Sequence, residues 1–217
     1  MATQSEHASL APLAAGGARI ILGTSSRFRR RVFDELCEQT PGLKYEVQTA
    51  DIDEKAIRRP HPADLVAVLA EAKADAILKK MAAAGSDTTT GLLVTCDQVV
   101  TYKGEIREKP ESEAQLKGWV KEYSAAPVGT TSSVRVANLA TGKVAAGVDV
   151  TEVHFDAIPE ADVDAMIQEG DVLWCAGGLM LEHPRVTPHC TKLVGTMDSV
   201  MGLPKALLCK LLLEAAH

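Results

Sequence analysis

The spacing of apolar and polar positions divides the chain into alternating short strands and helices. Arg19–Leu22 is an apolar run that reads as a strand. Beyond the hydroxyl-rich turn Gly23–Ser26, Val32, Phe33, Leu36 and Cys37 fall at helical spacing, with Ser26 as the N-cap. Tyr45–Gln48 alternates as a second strand. Pro60-His61-Pro62 is a stiff break that leaves His61 exposed on a loop, and a strongly helical pattern runs from Ala63 to Ala84. Glu111–Tyr123 is a further amphipathic helix, with Leu116, Trp119 and Val120 on its apolar face. Val128–Leu139 and Val144–Phe155 read as strands joined by a turn at Ala140–Gly142. Pro159 opens a helix with an acidic first turn. Val172–Leu181 reads as a strand whose glycine pair marks a bulge or a close backbone approach. Gly202-Leu203-Pro204 leads into the last helix, through Leu213.

Helical crossovers early and a hairpin in the middle predict an α/β fold. The expected form is a single domain with a mixed, twisted sheet flanked by helices, in one body or in two lobes with the site between them. Residues 1–18 are rich in Ala, Gly and Ser, lack the basic start of a signal peptide, and read as a flexible N-terminal tail. The folded domain is expected over residues 19–217.

Charged residues break these patterns at a few places. In Gly91–Pro110 the apolar run Leu92-Leu93-Val94 is interrupted by Asp97 and resumes at Val99. A carboxylate inside a buried strand is costly unless something positive pairs with it. Lys103-Gly104 reads as the turn that returns a second charged cluster, Arg107–Lys109, beside the first. Leu65, Leu69, Lys73 and Ile77 lie four apart on one helical line. Lys73 must therefore snorkel outward or meet a buried anion. Arg29 and Arg30 stand in a first helical turn, where basic residues are disfavoured unless an anion binds there. Asp51, Asp53 and Glu54 place three carboxylates within four residues, either a plain acidic loop or oxygen ligands suited to Mg²⁺ or Mn²⁺.

The net charge of -6 argues against a binder of nucleic-acid polymers or anionic membranes. Five cysteines without a C-x-x-C pair indicate neither a disulfide framework nor a structural zinc site, and suit a cytoplasmic protein.

These residues resemble the Maf family of nucleoside triphosphate pyrophosphatases, the septum-formation-protein homologues. The opening S-x-S-P-x-R motif is similar to Thr24-Ser25-Ser26-Arg27-Phe28-Arg29, with Arg27 in place of the family proline. Asp51–Glu54, Leu69–Ala74, Cys96–Val100, Glu108-Lys109-Pro110, Ala176-Gly177 and Val200–Pro204 resemble later family motifs in the same order. The resemblance implies hydrolysis of a nucleoside triphosphate to the monophosphate and pyrophosphate, with a divalent cation, by a homodimer. It assigns the proton acceptor to Asp97 and places Glu54, Lys73 and Lys109 with it as catalytic residues. Glu54 and Asp97 are the metal ligands it implies. Thr24, Ser26, Arg29 and Arg30 are the implied phosphate contacts.

Three positions divide the family by base, and here they are Phe28, Gln98 and Glu182. An aromatic residue, Gln and Glu resemble the branch acting on 7-methyl-GTP. The branch acting on dTTP and UTP is the alternative, as is a silent nucleotide-binding protein. The chemistry favours the first: methylation at N7 makes guanine a cation, which an aromatic face attracts. Glu182 would accept hydrogen bonds from guanine's N1–H and exocyclic amine.

Overall fold

The computed structural model describes residues 8–217. Its centre is the strand β3, Leu92–Tyr102, which the apolar pattern around Asp97 predicts. Before it come helix α1 (Ala11–Ala15), strand β1 (Ile20–Gly23), helix α2 (Arg27–Gln39), strand β2 (Glu46–Gln48) and helix α3 (Pro62–Ala83). After it come strand β4 (Glu105–Arg107), helix α4 (Glu113–Glu122), strands β5 (Val128–Asn138) and β6 (Val144–Phe155), and helix α5 (Glu160–Glu169). Strand β7 (Cys190–Val194) and helices α6 (Met197–Val200) and α7 (Lys205–Ala216) complete the chain.

One mixed sheet runs in the order β2-β1-β3-β5-β6-β7, with β4 also paired to β3. β1 lies parallel to β2 and β3, whereas β3, β5, β6 and β7 are antiparallel neighbours. Lys103 and Gly104 adopt φ of 48° and 85°, the left-handed pair that a tight hairpin needs, and so return β4 along β3.

Alternation along β3 sends Leu92, Val94 and Cys96 towards α2 and α7, where Phe33, Leu36, Leu208 and Leu212 bury them. Leu93 and Val99 face α3, against Ile77 and Met81 and against Leu65, Val66 and Leu69 respectively. Two hydroxyls pin that helix to the sheet. Thr95 Oγ1 donates to the Ala70 carbonyl at 2.8 Å and Ser133 Oγ to the Val66 carbonyl at 2.6 Å. Each is worth about 1 kcal/mol, and together they set the rotation of α3 against β3. At the far end of β3, Val100 and Tyr102 belong to a second apolar cluster with Leu116, Val120, Phe155, Val163 and Leu181. One sheet thus carries two large apolar clusters and two smaller ones under α3.

Two expectations are corrected. Val172–Leu181 is not a strand but two 3₁₀ turns, Val172–Trp174 and Ala176–Gly178. Gly177 and Gly178 take φ of 60° and 61°, which ends any extended run. Their role is the close approach: a Cβ on Gly178 would lie 1.9 Å from Leu116. The run is apolar because Val172, Leu179 and Leu181 bury into the second cluster from irregular backbone. The second correction concerns the N-terminal tail. Residues 1–7 lie outside the described residues, but Leu10, the N-cap of the short helix α1, and Leu13 within it are buried in the first cluster. Apolar burial outweighs the loop-like composition of that segment. β7 gave no sequence signal because, as an edge strand, it keeps most of its residues exposed.

Candidate active site

A cavity of about 720 Å³ opens between segments that pack on the two clusters. That is the size range of small-molecule sites. One wall comes from the β1–α2 turn. Gly23 ends β1 where a Cβ would meet Ile77 at 2.6 Å, so only glycine lets the turn lie this close to α3. Ser26 caps α2, its Oγ accepting from the Arg29 N–H, and its own N–H donates to Thr24 Oγ1 at 3.0 Å. Arg27 in place of proline leaves the helix entry where the cap puts it, with Arg27 as the first helical residue.

At the centre stands Asp97, 5% exposed. Lys73 Nζ lies 2.5 Å from Asp97 Oδ1 and 2.8 Å from Glu54 Oε1. Lys73 therefore meets buried anions and does not snorkel. Burial pushes the Asp97 carboxyl above the ordinary range, against the pull of Lys73 and Arg29. Burial also acts to raise Glu54, but Lys73, Lys109 and Arg29 outweigh it and hold that carboxyl low. Arg29 is clamped, its Nε donating to the Gly202 carbonyl at 3.0 Å and its Nη1 to the Cys96 carbonyl at 3.2 Å. Burial acts against its charge, yet Cys96, Asp97 and Glu54 raise its pKa.

Thr24, Ser26, Arg29, Arg30, Lys73 and Lys109 all line the cavity, so the implied phosphate contacts are brought together with Asp97 and Glu54. Arg30 and Lys109 are exposed at its margin. The acidic run behaves less uniformly than its sequence suggests. Asp51 pairs with Lys80 at 2.6 Å, Asp53 caps the turn Glu54–Ala56, and only Glu54 joins Lys73. No group of three or more metal-ligating side chains occurs among the described residues. Two carboxylates do fit a cation whose remaining ligands are phosphate and water, the usual habit of Mg²⁺. Each has a second oxygen beyond the one that Lys73 holds.

Phe28 and Glu182 line the same cavity, half-buried. Burial pushes the Glu182 carboxyl up. Gln98 also lines it, but its amide nitrogen donates to Ser132 Oγ and to the Ser199 carbonyl, both at 2.9 Å. Its amide N–H groups therefore anchor α6 to the sheet, and any contact with a base falls to its oxygen. Sequence reasoning missed Asp171 and Trp174, which line the cavity, Trp174 from the segment taken for a strand and Asp171 from the residue just before it. Asp171 pairs with Arg27, and the Arg27 guanidinium stands 5.1 Å above the Phe28 ring.

The family model described as Maf-like protein matches residues 19–215, nearly the whole chain. The chain belongs to the Maf-like protein family. It is 35% identical to a 7-methyl-GTP pyrophosphatase from Dictyostelium discoideum over 199 residues, covering 91% of this chain and 98% of that protein. It is 32% identical to a nucleoside triphosphate pyrophosphatase from Synechococcus elongatus, covering 92% of this chain and 94% of that protein. Among solved structures, a nucleoside-triphosphatase (dITP/XTP pyrophosphatase) from Mycobacterium abscessus gives a TM-score of 0.38 at 9% identity, over 65% of this chain and 74% of that one. That likeness is too distant to bear on fold or function.

Proposed function

We propose that this chain is a nucleoside triphosphate pyrophosphatase that prefers 7-methyl-GTP and yields the monophosphate and pyrophosphate. The observation that carries the reading is Asp97, buried in mid-strand yet bonded to Lys73, in a cavity lined by Arg29, Arg30 and Lys109. A water attacking the α-phosphorus loses a proton, and Asp97 is the acceptor. Burial lifts its carboxyl pKa, the direction that makes a carboxylate a better proton acceptor. Lys73, Arg29 and Lys109 offset the charge of the triphosphate and of the departing pyrophosphate. A divalent cation held by Glu54 and Asp97 would supply further neutralisation of the phosphate oxygens.

Pyrophosphate release from a panel of triphosphates, with Mg²⁺, Mn²⁺ or neither, tests the reading. Activity is expected only with metal and to vanish in excess EDTA. Glu54→Gln is expected to raise the metal concentration for half-maximal rate at least about tenfold. Full activity in EDTA would remove the metal from the scheme.

The base preference is carried by Phe28 and Glu182, both at the cavity, and is supported by the 35% identity to the Dictyostelium protein. Phe28→Ala and Glu182→Gln are each expected to lower kcat/KM for 7-methyl-GTP by roughly tenfold while changing UTP turnover less, since one ring contact or one buried acceptor is worth about that much. Glu182 can offer both oxygens as acceptors to N1–H and the exocyclic amine only when ionised, because protonation turns one of them into a donor. Its raised carboxyl pKa therefore makes the preference weaken as pH falls, an effect that Glu182→Gln removes. If the wild type prefers UTP or dTTP tenfold, the base assignment fails and the pyrophosphatase assignment stands. If no triphosphate is hydrolysed, the chain is a silent nucleotide binder. The homodimer, which the family resemblance implies, and the cytoplasmic location, which five free thiols among the described residues suit, belong to the same proposal.

A further inference from the structure

Trp174 is 72% exposed, the most exposed large apolar side chain among the described residues. Tryptophan is on average highly buried, so such exposure at a cavity rim calls for a reason. Looseness does not supply one. Val172, two residues earlier, is 1% exposed and anchored in the second cluster. The Trp174 N–H donates to the Asp171 carbonyl at 3.0 Å, and the Cys175 N–H to that of Val172 at 3.2 Å. The carboxylate of Asp171 is paired with Arg27, next to Phe28. The indole is therefore carried on a braced turn tied to the segment that bears the other aromatic ring of the cavity.

The Phe28 ring already faces a planar cation, the Arg27 guanidinium, 5.1 Å from its centre. Glu182, half-buried in the same lining, adds negative charge. A planar, positively charged base suits two aromatic faces and a carboxylate better than a neutral pyrimidine does, because both the ring quadrupoles and the acid favour positive charge.

We infer that Trp174 is a second stacking residue for the base, closing on the face opposite Phe28 so that a cationic purine is held between two rings. The inference rests on the proposed 7-methyl-GTP reading and adds a specificity residue to it. An exposed indole costs apolar hydration in the free protein, and covering it with the base recovers that cost only when a large flat ligand arrives.

The product 7-methyl-GMP binds without turnover and serves as the probe, with GMP and UMP beside it. Trp174 is one of two tryptophans, and the emission of Trp119 is removed by subtracting a Trp174→Phe protein. The Trp174 emission is expected to be quenched saturably by 7-methyl-GMP and far less by UMP. Trp174→Ala is expected to weaken 7-methyl-GMP binding roughly tenfold, with UMP changed less than threefold, and Trp174→Phe to restore most of the loss. Calorimetry reads these affinities independently of fluorescence. Because the side chain is exposed, Tm is expected to stay unchanged in both variants. Affinity for 7-methyl-GMP unchanged in Trp174→Ala, or lost equally for UMP, overturns the stacking role. Failure of the substrate reading looks different: the wild type then hydrolyses pyrimidine triphosphates best, whatever Trp174 does.

Discussion

Asp97→Asn is expected to lower kcat by at least about a hundredfold, the lower end of what a general base contributes. The amide preserves shape and volume in a site only 5% exposed, so packing between β3 and α3 is kept. It cannot take a proton from water. Lys73 retains its bond to Glu54 at 2.8 Å, so the ammonium is not left without a partner. Binding of a non-hydrolysable triphosphate is therefore expected to change less than about fivefold, against the large loss in kcat. Turnover within tenfold of wild type would remove Asp97 from the role of base. Tight binding with no turnover is the expected pair of results.

Lys73→Met is expected to abolish measurable turnover and, unlike Asp97→Asn, to destabilise the fold. Met fits the apolar line between Leu69 and Ile77, so volume is not the problem. Charge is. Asp97 would remain buried without its 2.5 Å partner, and breaking a buried ion pair on one side costs about 3–5 kcal/mol. Burial already lifts the Asp97 carboxyl, and without Lys73 nothing on α3 opposes that rise. A carboxyl whose folded pKa lies above its unfolded value binds protons more tightly in the native state. The stability deficit is thus largest above the raised pKa and shrinks as pH falls through it. Urea unfolding at about pH 8 and about pH 5 is expected to show the variant closing on wild type in acid. An equal deficit at both pH values would mean that packing, rather than charge, holds Lys73 in place.

The elements with a buried face on both sides, or a clean alternation, were legible in the chain. β3 declares itself by its apolar run, and its hairpin by Lys103-Gly104, because strand burial and positive φ are local demands on residue type. The line Leu65-Leu69-Lys73-Ile77 likewise placed Lys73 on the buried side of α3. Ser26 as N-cap follows from the same local chemistry. Where burial came from irregular backbone, local pattern misled. Val172–Leu181 is apolar like a strand, yet two left-handed glycines turn it into a wall of the cavity that carries Trp174, with Asp171 and Glu182 flanking it. The segment Leu10–Ala15 is composed like a loop, yet two leucines dock it.

Periodicity and capping are set within a few residues, so side-chain type alone decided which face of each element is buried and where charge interrupts it. Which charges meet was decided by packing. Asp51, Asp53 and Glu54 look equivalent in sequence; Asp53 caps its own turn locally, whereas the packing of α3 gives Asp51 to Lys80 and Glu54 to Lys73. Lys73 and Asp97 are 24 positions apart, and Arg27 and Asp171 come from elements whose apolar residues, Val32 and Phe33 on one side and Val172 on the other, bury into different clusters, so these pairings depend on tertiary distances that no local pattern encodes.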